Sequence, residues 1–395
     1  MLRTILNIEP VIYPLTGIGR YTYELARALM EHEDMEELIM WRGFGRVPVL
    51  PSLESITVSP ESAASRAGFV EKAIAAARRR AVKNHLAVRT VLGLKKMLGA
   101  VSSARFKGAV YHGPNFCLPL HDGPKVVTFH DLSVLVVPQY HPDSRVRAME
   151  PVLKEAAGRT DLIITISEYG RREVIDVLGF PPEKVLTTHL AASDSFQPLD
   201  DEILAPSLKP LGLRPGGYTL FTGTLEPRKN IEVLLKAYEG LPDRLRRRFP
   251  LVVAGHEGWK SEELHQRLDK LSGCGWLIKA GYIDSSVLPR LMAGAAIFLF
   301  PSMYEGFGLP PLEAMQCGVP TIVSDRASLP EVVGQAAPCL PPLDADMWRE
   351  WIMRVLEDQA LARRMSDDGL ARAAEFSWRR CADRTVAAYR LAAGL

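Results

Sequence analysis

A short glycine-bounded segment carries two adjacent cations where a helix is about to begin. It reads Gly-Thr-Leu-Glu-Pro-Arg-Lys-Asn over 223–230 and follows an apolar run. Arg228 and Lys229 directly precede the helical pattern that starts at Ile231, where the helix dipole disfavours positive charge. A bound diphosphate would remove this conflict, with both side chains as its counterions. A solvated surface turn is the alternative, and Asn230 is predicted to cap the helix.

A second segment, over 301–315, combines glycines with two carboxylates and also follows an apolar run. Gly306 and Gly308 allow the backbone to approach a ligand closely. Glu305 and Glu313 can accept hydrogen bonds from sugar hydroxyls, although Glu313 alone is also explained by an interaction with a helix N-terminus. Three backbone N–H groups are predicted to face a phosphate, namely those of Phe307, Gly308 and Leu309.

A weaker glycine motif follows the first strand-like run in the N-terminal half. Gly17 and Gly19 form a G-x-G just before Arg20, at the start of a helical pattern. The motif lacks a third glycine and an acidic residue about 20 positions further on, so a dinucleotide site is disfavoured.

Three polar residues end other strand-like runs of this half. His130 can donate to a sugar hydroxyl or position an acceptor, and a turn histidine satisfied by its own surroundings is the alternative. Asp131 follows it directly. Ser167 either lines the acceptor side or acts as a helix N-cap.

These residues must be positioned by alternating strands and helices, which predict an α/β protein with parallel sheets covered on both faces. Ligands of such sheets bind beyond the carboxyl ends of the strands. Nine runs are predicted as strands: 4–8, 126–129, 162–166, 185–188, 218–223, 251–254, 278–281, 296–300 and 321–324.

The chain length of 395 residues predicts two domains. The Pro- and Gly-rich segment 194–217 separates two alternating series and is predicted to be the linker together with the entry to the second domain. The first domain is predicted over 1–195 and the second over 196–377. The last helix, over 378–393, is expected to pack back onto the first domain.

Several classes of protein are disfavoured. There is no apolar run of about 18 residues for a membrane span and no secretory signal pattern. The five cysteines are scattered and fit neither a disulfide framework nor a zinc site, which predicts a cytoplasmic protein. No metal site is predicted: Asp344 and Asp346 resemble a metal-binding D-x-D, but helix capping explains them better.

Residues 66–107 form a strongly basic segment. They contain eleven Lys or Arg and a single acid, Glu71, for a net charge of +10, with apolar residues interleaved at helical spacing. This pattern indicates a basic amphipathic surface for an anionic membrane or a polyphosphate acceptor. A solvated helix pair is the alternative. Nucleic acid is disfavoured because few aromatic residues accompany the charges.

The two glycine-containing segments resemble the donor-binding half of the family-four retaining glycosyltransferases. The family's E-x7-E pattern is matched by Glu305 and Glu313, and its basic phosphate clamp by Arg228 and Lys229. The resemblance implies the GT-B fold, with two Rossmann-like domains whose parallel sheets face a central cleft. It is most specific over 218–333.

The resemblance also implies roles for individual residues. Glu305 would contact the donor sugar and Glu313 the nucleotide ribose, while the step at Tyr282 and Ile283 would lie near the base. The expected catalytic residues are His130, Arg228, Lys229 and Glu305. The expected donor-binding residues are Gly17, Gly19, Gly223, Gly255, Tyr282, Ile283, Gly306, Phe307, Gly308, Leu309 and Glu313. The expected acceptor-side residues are Arg20, Asp131 and Ser167.

The implied activity is transfer of a hexose, with retention, from a nucleoside diphosphate sugar to a glycan or lipid-linked acceptor in bacterial polysaccharide synthesis. GDP-mannose is the favoured donor and mannose the transferred sugar, and the reaction is expected to need no metal and no cofactor. The protein would then be cytoplasmic and peripheral at the inner face of the cytoplasmic membrane. A sugar-nucleotide epimerase of the same fold, or a non-catalytic subunit of a polysaccharide assembly complex, are the alternatives.

Overall fold

The computed structural model describes residues 2–12, 15, 17–43, 45–51, 106–116, 118–119 and 121–395. The basic segment 66–107 lies outside these residues except for Phe106 and Lys107. Within the described ranges, no helix is both long and apolar enough to cross a bilayer.

The N-terminal sheet has strands in the order β3-β2-β1-β4-β5-β6-β7. All neighbours are parallel except β2 and β3. The strands are β1 Leu2–Asn7, β2 Met35–Arg42, β3 Gly45–Arg46, β4 Val110–Gly113, β5 Lys125–Phe129, β6 Leu162–Thr165 and β7 Val185–Thr187. Its helices are Gly17–Met30, Ser133–Val136, Asp143–Arg159 and Glu168–Leu178.

The C-terminal sheet is parallel throughout, in the order β10-β9-β8-β11-β12-β13. Its strands are β8 Thr219–Thr222, β9 Leu251–Ala254, β10 Leu277–Gly281, β11 Ile297–Phe300, β12 Thr321–Ser324 and β13 Cys339–Leu340. The helices around it are Asp201–Leu208, Ile231–Glu239, Asp243–Arg248, Glu262–Ser272, Leu288–Ala293, Leu309–Gln316, Leu329–Val333, Ala345–Glu357 and Gln359–Ala373. Two parallel sheets covered by helices confirm the predicted α/β fold class.

Four strands were not predicted from the sequence: β2, β3 and β4 of the N-terminal sheet, and β13 of the C-terminal sheet, with β3 and β13 only two residues long. β2 begins with acidic residues, and only its second half, Ile39–Trp41, is buried. β4 is four residues long and contains His112, whose ring is fully buried. That histidine is tolerated because its Nε2 is 2.8 Å from the Thr128 hydroxyl and its Nδ1 is 2.7 Å from the Tyr389 hydroxyl.

The segment 194–217, predicted as the linker and the entry to the second domain, contains the helix Asp201–Leu208. Leu204 and Leu208 lie one turn apart on this helix and are both buried, and the helix packs against Leu288–Ala293. Burial of one apolar face stabilises this helix although Pro206 interrupts its backbone bonding.

The last helix, Trp378–Ala392, contacts the helix Gly17–Met30 and strands β5, β6 and β7 of the N-terminal sheet. The chain therefore passes between the two sheets twice. The rings of His189, Phe307 and Phe376 pack together where the two passages meet, with centroids 5.7 to 6.1 Å apart.

Candidate active site

The two glycine-containing segments meet at the point where the strand order of the C-terminal sheet reverses. β8 lies between β9 and β11, and the segments 223–230 and 301–308 follow the carboxyl ends of β8 and β11. The backbone N–H of Met303 donates to the carbonyl of Arg228 at 2.8 Å, which ties one segment to the other. Open parallel sheets bind their ligands at such a reversal.

Asn230 joins the two segments rather than capping the helix. It adopts a left-handed conformation, with φ of 53°, and its side chain makes no capping hydrogen bond. Its amide instead donates to the carbonyls of Pro301 at 3.1 Å and Pro342 at 2.7 Å. The N-cap prediction was wrong because two loop carbonyls, distant in sequence, compete for the same side chain.

Lys229 and Glu305 form a buried ion pair at the centre of the site. Nζ of Lys229 lies 2.6 Å from Oε1 of Glu305, and the two residues are 8% and 9% exposed. Burial alone would raise the pKa of Glu305, but Arg228 and Lys229 outweigh it and hold the pKa at about 2. Burial lowers the pKa of Lys229, and Glu305 opposes this shift. Glu305 is therefore an ionised acceptor at neutral pH.

Arg228 is held by three partners. Its Nε and one terminal nitrogen donate to Oε1 of Glu226 at 3.0 and 2.6 Å. Its other terminal nitrogen bonds the carbonyl of Tyr304 and lies 3.1 Å from Oε2 of Glu305. The two predicted phosphate ligands are thus already paired with carboxylates, so an incoming diphosphate would have to compete with Glu305 for them.

Glu313 and Arg20 connect the two halves of the chain. Glu313 lies in the second turn of the helix Leu309–Gln316. Its Oε1 lies 3.2 Å from a terminal nitrogen of Arg20, and burial raises the pKa of Glu313 while Arg20 opposes the shift. Arg20, predicted for the acceptor side, therefore contacts a donor-side carboxylate.

His130 is held by a backbone carbonyl. Its Nε2 lies 2.7 Å from the carbonyl oxygen of Pro114, which can only accept, so Nε2 carries the proton. Burial lowers the pKa of His130, and the Tyr21 ring contacts it edge-on at 4.9 Å. The ring is neutral at neutral pH, and Nδ1 is the atom that can accept a hydrogen bond from a sugar hydroxyl. Asp131 accepts from the backbone N–H of Ser133 at 2.9 Å.

Ser167 acts as the helix N-cap, one of the two roles that the sequence left open. Its hydroxyl accepts from the N–H of Gly170 at 3.0 Å, which caps the helix Glu168–Leu178. The same hydroxyl donates to the carbonyl of Gly306 at 2.7 Å, across the two sheets. A Cβ at position 306 would lie 1.9 Å from the carbonyl oxygen of His130, so only glycine permits this approach.

The other predicted donor-binding residues lie around these pairs. Gly223 and Gly255 touch, since a Cβ at 255 would be 1.8 Å from the Gly223 carbonyl oxygen. The half-exposed ring of Tyr282 stacks on His256 with a centroid distance of 4.2 Å. The remaining predicted residues occupy helix starts or loops: Gly17 and Gly19 in the first helical turn, Ile283 after β10, Phe307 in the buried loop, and Gly308 and Leu309 at the helix start.

Three residues with evident roles in the site were not identified from the sequence. Glu226 holds Arg228, and Tyr304 contacts the N-terminal half through its hydroxyl. Glu331 accepts from the backbone N–H groups of Glu168 and Tyr169 at 2.7 and 2.9 Å. Glu226 and Tyr304 lie inside the segments 223–230 and 301–315, so their positions in these motifs could have identified them. No sequence motif around Glu331 indicates its role.

Asp344 caps the helix Ala345–Glu357 by accepting from the N–H of Met347 at 3.0 Å, which confirms the capping prediction. In the described part of the chain, no group of three or more His, Cys, Asp or Glu is arranged to hold a metal ion.

Both halves match known families. Residues 15–191 match the family described as "Glycosyltransferase Family 4", and residues 214–372 match "Glycosyl transferases group 1". The chain is 40% identical over 390 residues to "O-antigen chain mannosyltransferase B" of Escherichia coli, covering 99% of this chain and 100% of that protein. It is 37% identical over 223 residues to "Serotype-specific mannosyltransferase WbdA" of Escherichia coli, which covers 56% of this chain and 27% of that protein.

Solved structures share the fold. A sucrose-phosphate synthase from Thermosynechococcus elongatus superposes with a TM-score of 0.70 at 20% identity, covering 99% of both chains. WaaG, "a glycosyltransferase involved in lipopolysaccharide biosynthesis", superposes with a TM-score of 0.65 at 14% identity, covering 98% of this chain and 99% of that one. Full-length similarity, both family matches and the two facing parallel sheets agree, and the chain belongs to the family 4 glycosyltransferases of GT-B fold.

Proposed function

We propose that this protein transfers a mannosyl unit from GDP-mannose to a hydroxyl of a growing, lipid-linked O-polysaccharide, with retention at the anomeric carbon and without a metal. The full-length similarity to an O-antigen chain mannosyltransferase supports the sugar and the class of acceptor. The observation that carries the proposal is the buried cluster of Arg228, Lys229 and Glu305 beyond the ends of β8 and β11.

The difficult step is departure of the nucleoside diphosphate. The bond from the anomeric carbon to the β-phosphate oxygen breaks, and its electron pair stays on that oxygen. Lys229 and Arg228 then stabilise the developing negative charge, which is the largest contribution that a preorganised site makes. The acceptor hydroxyl oxygen bonds the same carbon from the same face, and its proton moves to the departing phosphate.

Retention by double displacement would need a carboxylate that attacks the anomeric carbon. Glu305 lies in the site, but its charge is balanced by Lys229 at 2.6 Å and Arg228 at 3.1 Å. Such pairing weakens a nucleophile and favours a role in binding sugar hydroxyls. We therefore assign Glu305 to the sugar and favour the front-face route.

A thermal-shift panel of GDP, UDP, ADP and dTDP, with and without magnesium, tests the donor site. Ligand that binds only the folded protein raises its melting temperature by mass action. We expect a shift with GDP that is independent of magnesium and is lost in Lys229→Ala. A shift with another nucleotide instead would replace the proposed donor, and no shift with any of them would count against a donor site.

The reaction itself is tested with GDP-mannose and a short α-mannoside bearing a hydrophobic aglycone, in excess EDTA. We expect an α-linked mannosyl product from the α-linked donor. A β-linked product would exclude retention, and loss of activity in EDTA that magnesium restores would exclude metal independence. Incubation with donor alone separates the alternatives, because an epimerase would convert the sugar nucleotide and a non-catalytic subunit would leave both mixtures unchanged.

We further propose that the basic segment 66–107 attaches the protein to anionic membrane surfaces, because its net charge of +10 attracts acidic headgroups. Flotation with liposomes of neutral or anionic lipid tests this. We expect binding only to the anionic vesicles, weakened by added salt and by replacing Arg78, Arg79 and Arg80 with Glu. Equal flotation with both vesicles would count against an electrostatic attachment.

A further inference from the structure

The side chain of Tyr304 projects from the C-terminal half into the N-terminal half, and it is 2% exposed. We propose that Tyr304 is a positioning residue: its hydroxyl docks onto the helix Glu168–Leu178 and thereby fixes Arg228 and Glu305 in the geometry needed for transfer. The inference rests on the proposed function for its kinetic readout alone.

The Tyr304 hydroxyl acts both as a hydrogen-bond donor and as an acceptor toward the N-terminal half. It donates to Oε2 of Glu173 and accepts from the backbone N–H of Leu132 at 3.3 Å. The Tyr169 ring meets the Tyr304 ring edge-on at 6.1 Å. A hydroxyl has one proton to give, so this arrangement specifies one orientation of the two halves.

The backbone of Tyr304 is tied to the catalytic cluster at the same time. Its carbonyl accepts from the Arg228 guanidinium, and the next residue is Glu305. The hydroxyl of Ser328 holds the carbonyls of Glu305 and Phe307 at 2.9 and 2.7 Å. This segment is therefore restrained within the donor half, and displacement of the Tyr304 side chain would act directly on Arg228 and Glu305.

Two further contacts join the helix Glu168–Leu178 to the donor half. Ser167, its N-cap, donates to the carbonyl of Gly306. Glu331 accepts from the first two N–H groups of the helix and from Nε2 of His189 at 2.7 Å. A carboxylate at a helix N-terminus is stabilised by the helix dipole. These contacts fix the start of the helix, and Tyr304 fixes its second turn.

Packing alone does not account for this tyrosine. Phenylalanine would fill the same space, and it would not require Glu173 to be buried. Glu173 is 8% exposed, and its Oε2 accepts from the Tyr304 hydroxyl. Burial raises the pKa of Glu173 to about 7, although the bonds from Tyr304 and Tyr169 oppose the shift. Burying an acid is costly, so the hydroxyl contact has a role beyond filling space.

The test compares Tyr304→Phe with Tyr218→Phe. The Tyr218 hydroxyl is also buried, but it donates to the carbonyl of Leu291 within the donor half, so its loss controls for stability. We expect Tyr304→Phe to lower kcat by about tenfold to a hundredfold, with KM for the donor changed by less than about twofold. Tyr218→Phe should keep kcat within about twofold of wild type at a similar melting temperature.

Two further measurements keep the inference separate from the proposed reaction. Hydrogen exchange of the ligand-free protein should show faster exchange of the Glu168–Leu178 amides in Tyr304→Phe and unchanged exchange there in Tyr218→Phe. Glu173→Leu should reproduce both effects, and the double variant should be no worse than either single one. Equal kcat in the two tyrosine variants, or unchanged exchange in that helix, would overturn the inference. If wild type transfers no mannose, the proposed function fails and the exchange data alone decide.

Discussion

The ammonium group of Lys229 lies 2.6 Å from a carboxylate oxygen of Glu305, and both residues are buried. The two residues are 76 positions apart and follow neighbouring strands, β8 and β11. Lys229 and Arg228 keep this buried carboxylate ionised, and under the proposed function the departing diphosphate and its sugar bind at this pair. This pair is the basis of the first prediction.

Lys229→Ala should lower kcat/KM for transfer by about 10²- to 10³-fold, because one of the two cations that stabilise the departing phosphate is lost. Steady-state kinetics with the donor, and calorimetric titration of GDP, measure the change. Lys270→Ala, at an exposed position on the helix Glu262–Ser272, is the control and should behave as wild type. Unchanged turnover in Lys229→Ala would remove this residue from the mechanism.

Gly306→Ala should show whether transfer depends on the close contact between the two halves of the chain. The backbone of Gly306 does not have a positive φ, so alanine is compatible with its local conformation. The added methyl would nevertheless lie 1.9 Å from the His130 carbonyl oxygen, so the halves must move apart. We expect kcat to fall by about a hundredfold and the radius of gyration from X-ray scattering to increase.

Gly273→Ala is the matched control, because a Cβ there meets no atom within 4 Å. It should leave both kcat and the radius of gyration at wild-type values. A Gly306→Ala enzyme with wild-type scattering and turnover would show that the contact with His130 is not needed for transfer.

Glu313→Gln should weaken nucleotide binding by about tenfold, since a carboxylate accepts a ribose hydroxyl bond more strongly than an amide. Arg20→Met breaks the interdomain pair but leaves the carboxylate, so GDP affinity should change by less than about threefold. Calorimetric titration gives both values, with Arg27→Met on the same helix as the control. A larger loss of affinity in Arg20→Met than in Glu313→Gln would assign the nucleotide contact to Arg20 instead.

Acid should destabilise the protein through His112. Burial lowers the pKa of His112 from its ordinary 6.5 to about 3 in the folded protein. Below pH 6.5 the unfolded chain therefore binds a proton that the folded protein does not, and stability falls as the pH is lowered. Between pH 7 and pH 5 the loss from this residue is about 2 kcal/mol. Urea unfolding at pH 7, 6 and 5 measures it.

His112→Gln should be less stable than wild type at pH 7, because the bonds to Thr128 and Tyr389 are disturbed. Its stability should, however, depend less on pH over the same range. His256→Gln, at an exposed position, should keep the wild-type dependence. If His112→Gln lost stability with acid as steeply as wild type, another group would be responsible.

The sequence by itself determined the fold class and marked two loops that the structure brings together. Apolar runs such as Leu251–Ala254 and Thr321–Ser324 became strands with the predicted bounds, because a strand buried on both faces needs a continuous apolar run. The glycines at 306 and 308 and the charges at 228, 229, 305 and 313 marked the loops that follow β8 and β11, because close backbone approach and anion binding each need particular residue types.

The tertiary structure decided which groups these residues meet. Asn230 bonds Pro301 and Pro342 instead of its own helix, and Arg20 contacts Glu313, 293 positions away. His112 of β4 bonds the hydroxyl of Tyr389, which the last helix supplies. Each partner lies far along the chain, and hydrogen bonds and ion pairs depend on distances of about 3 Å that local sequence patterns do not specify. The residue types therefore indicated the kind of chemistry, whereas the tertiary structure determined which residues form hydrogen bonds and ion pairs with one another.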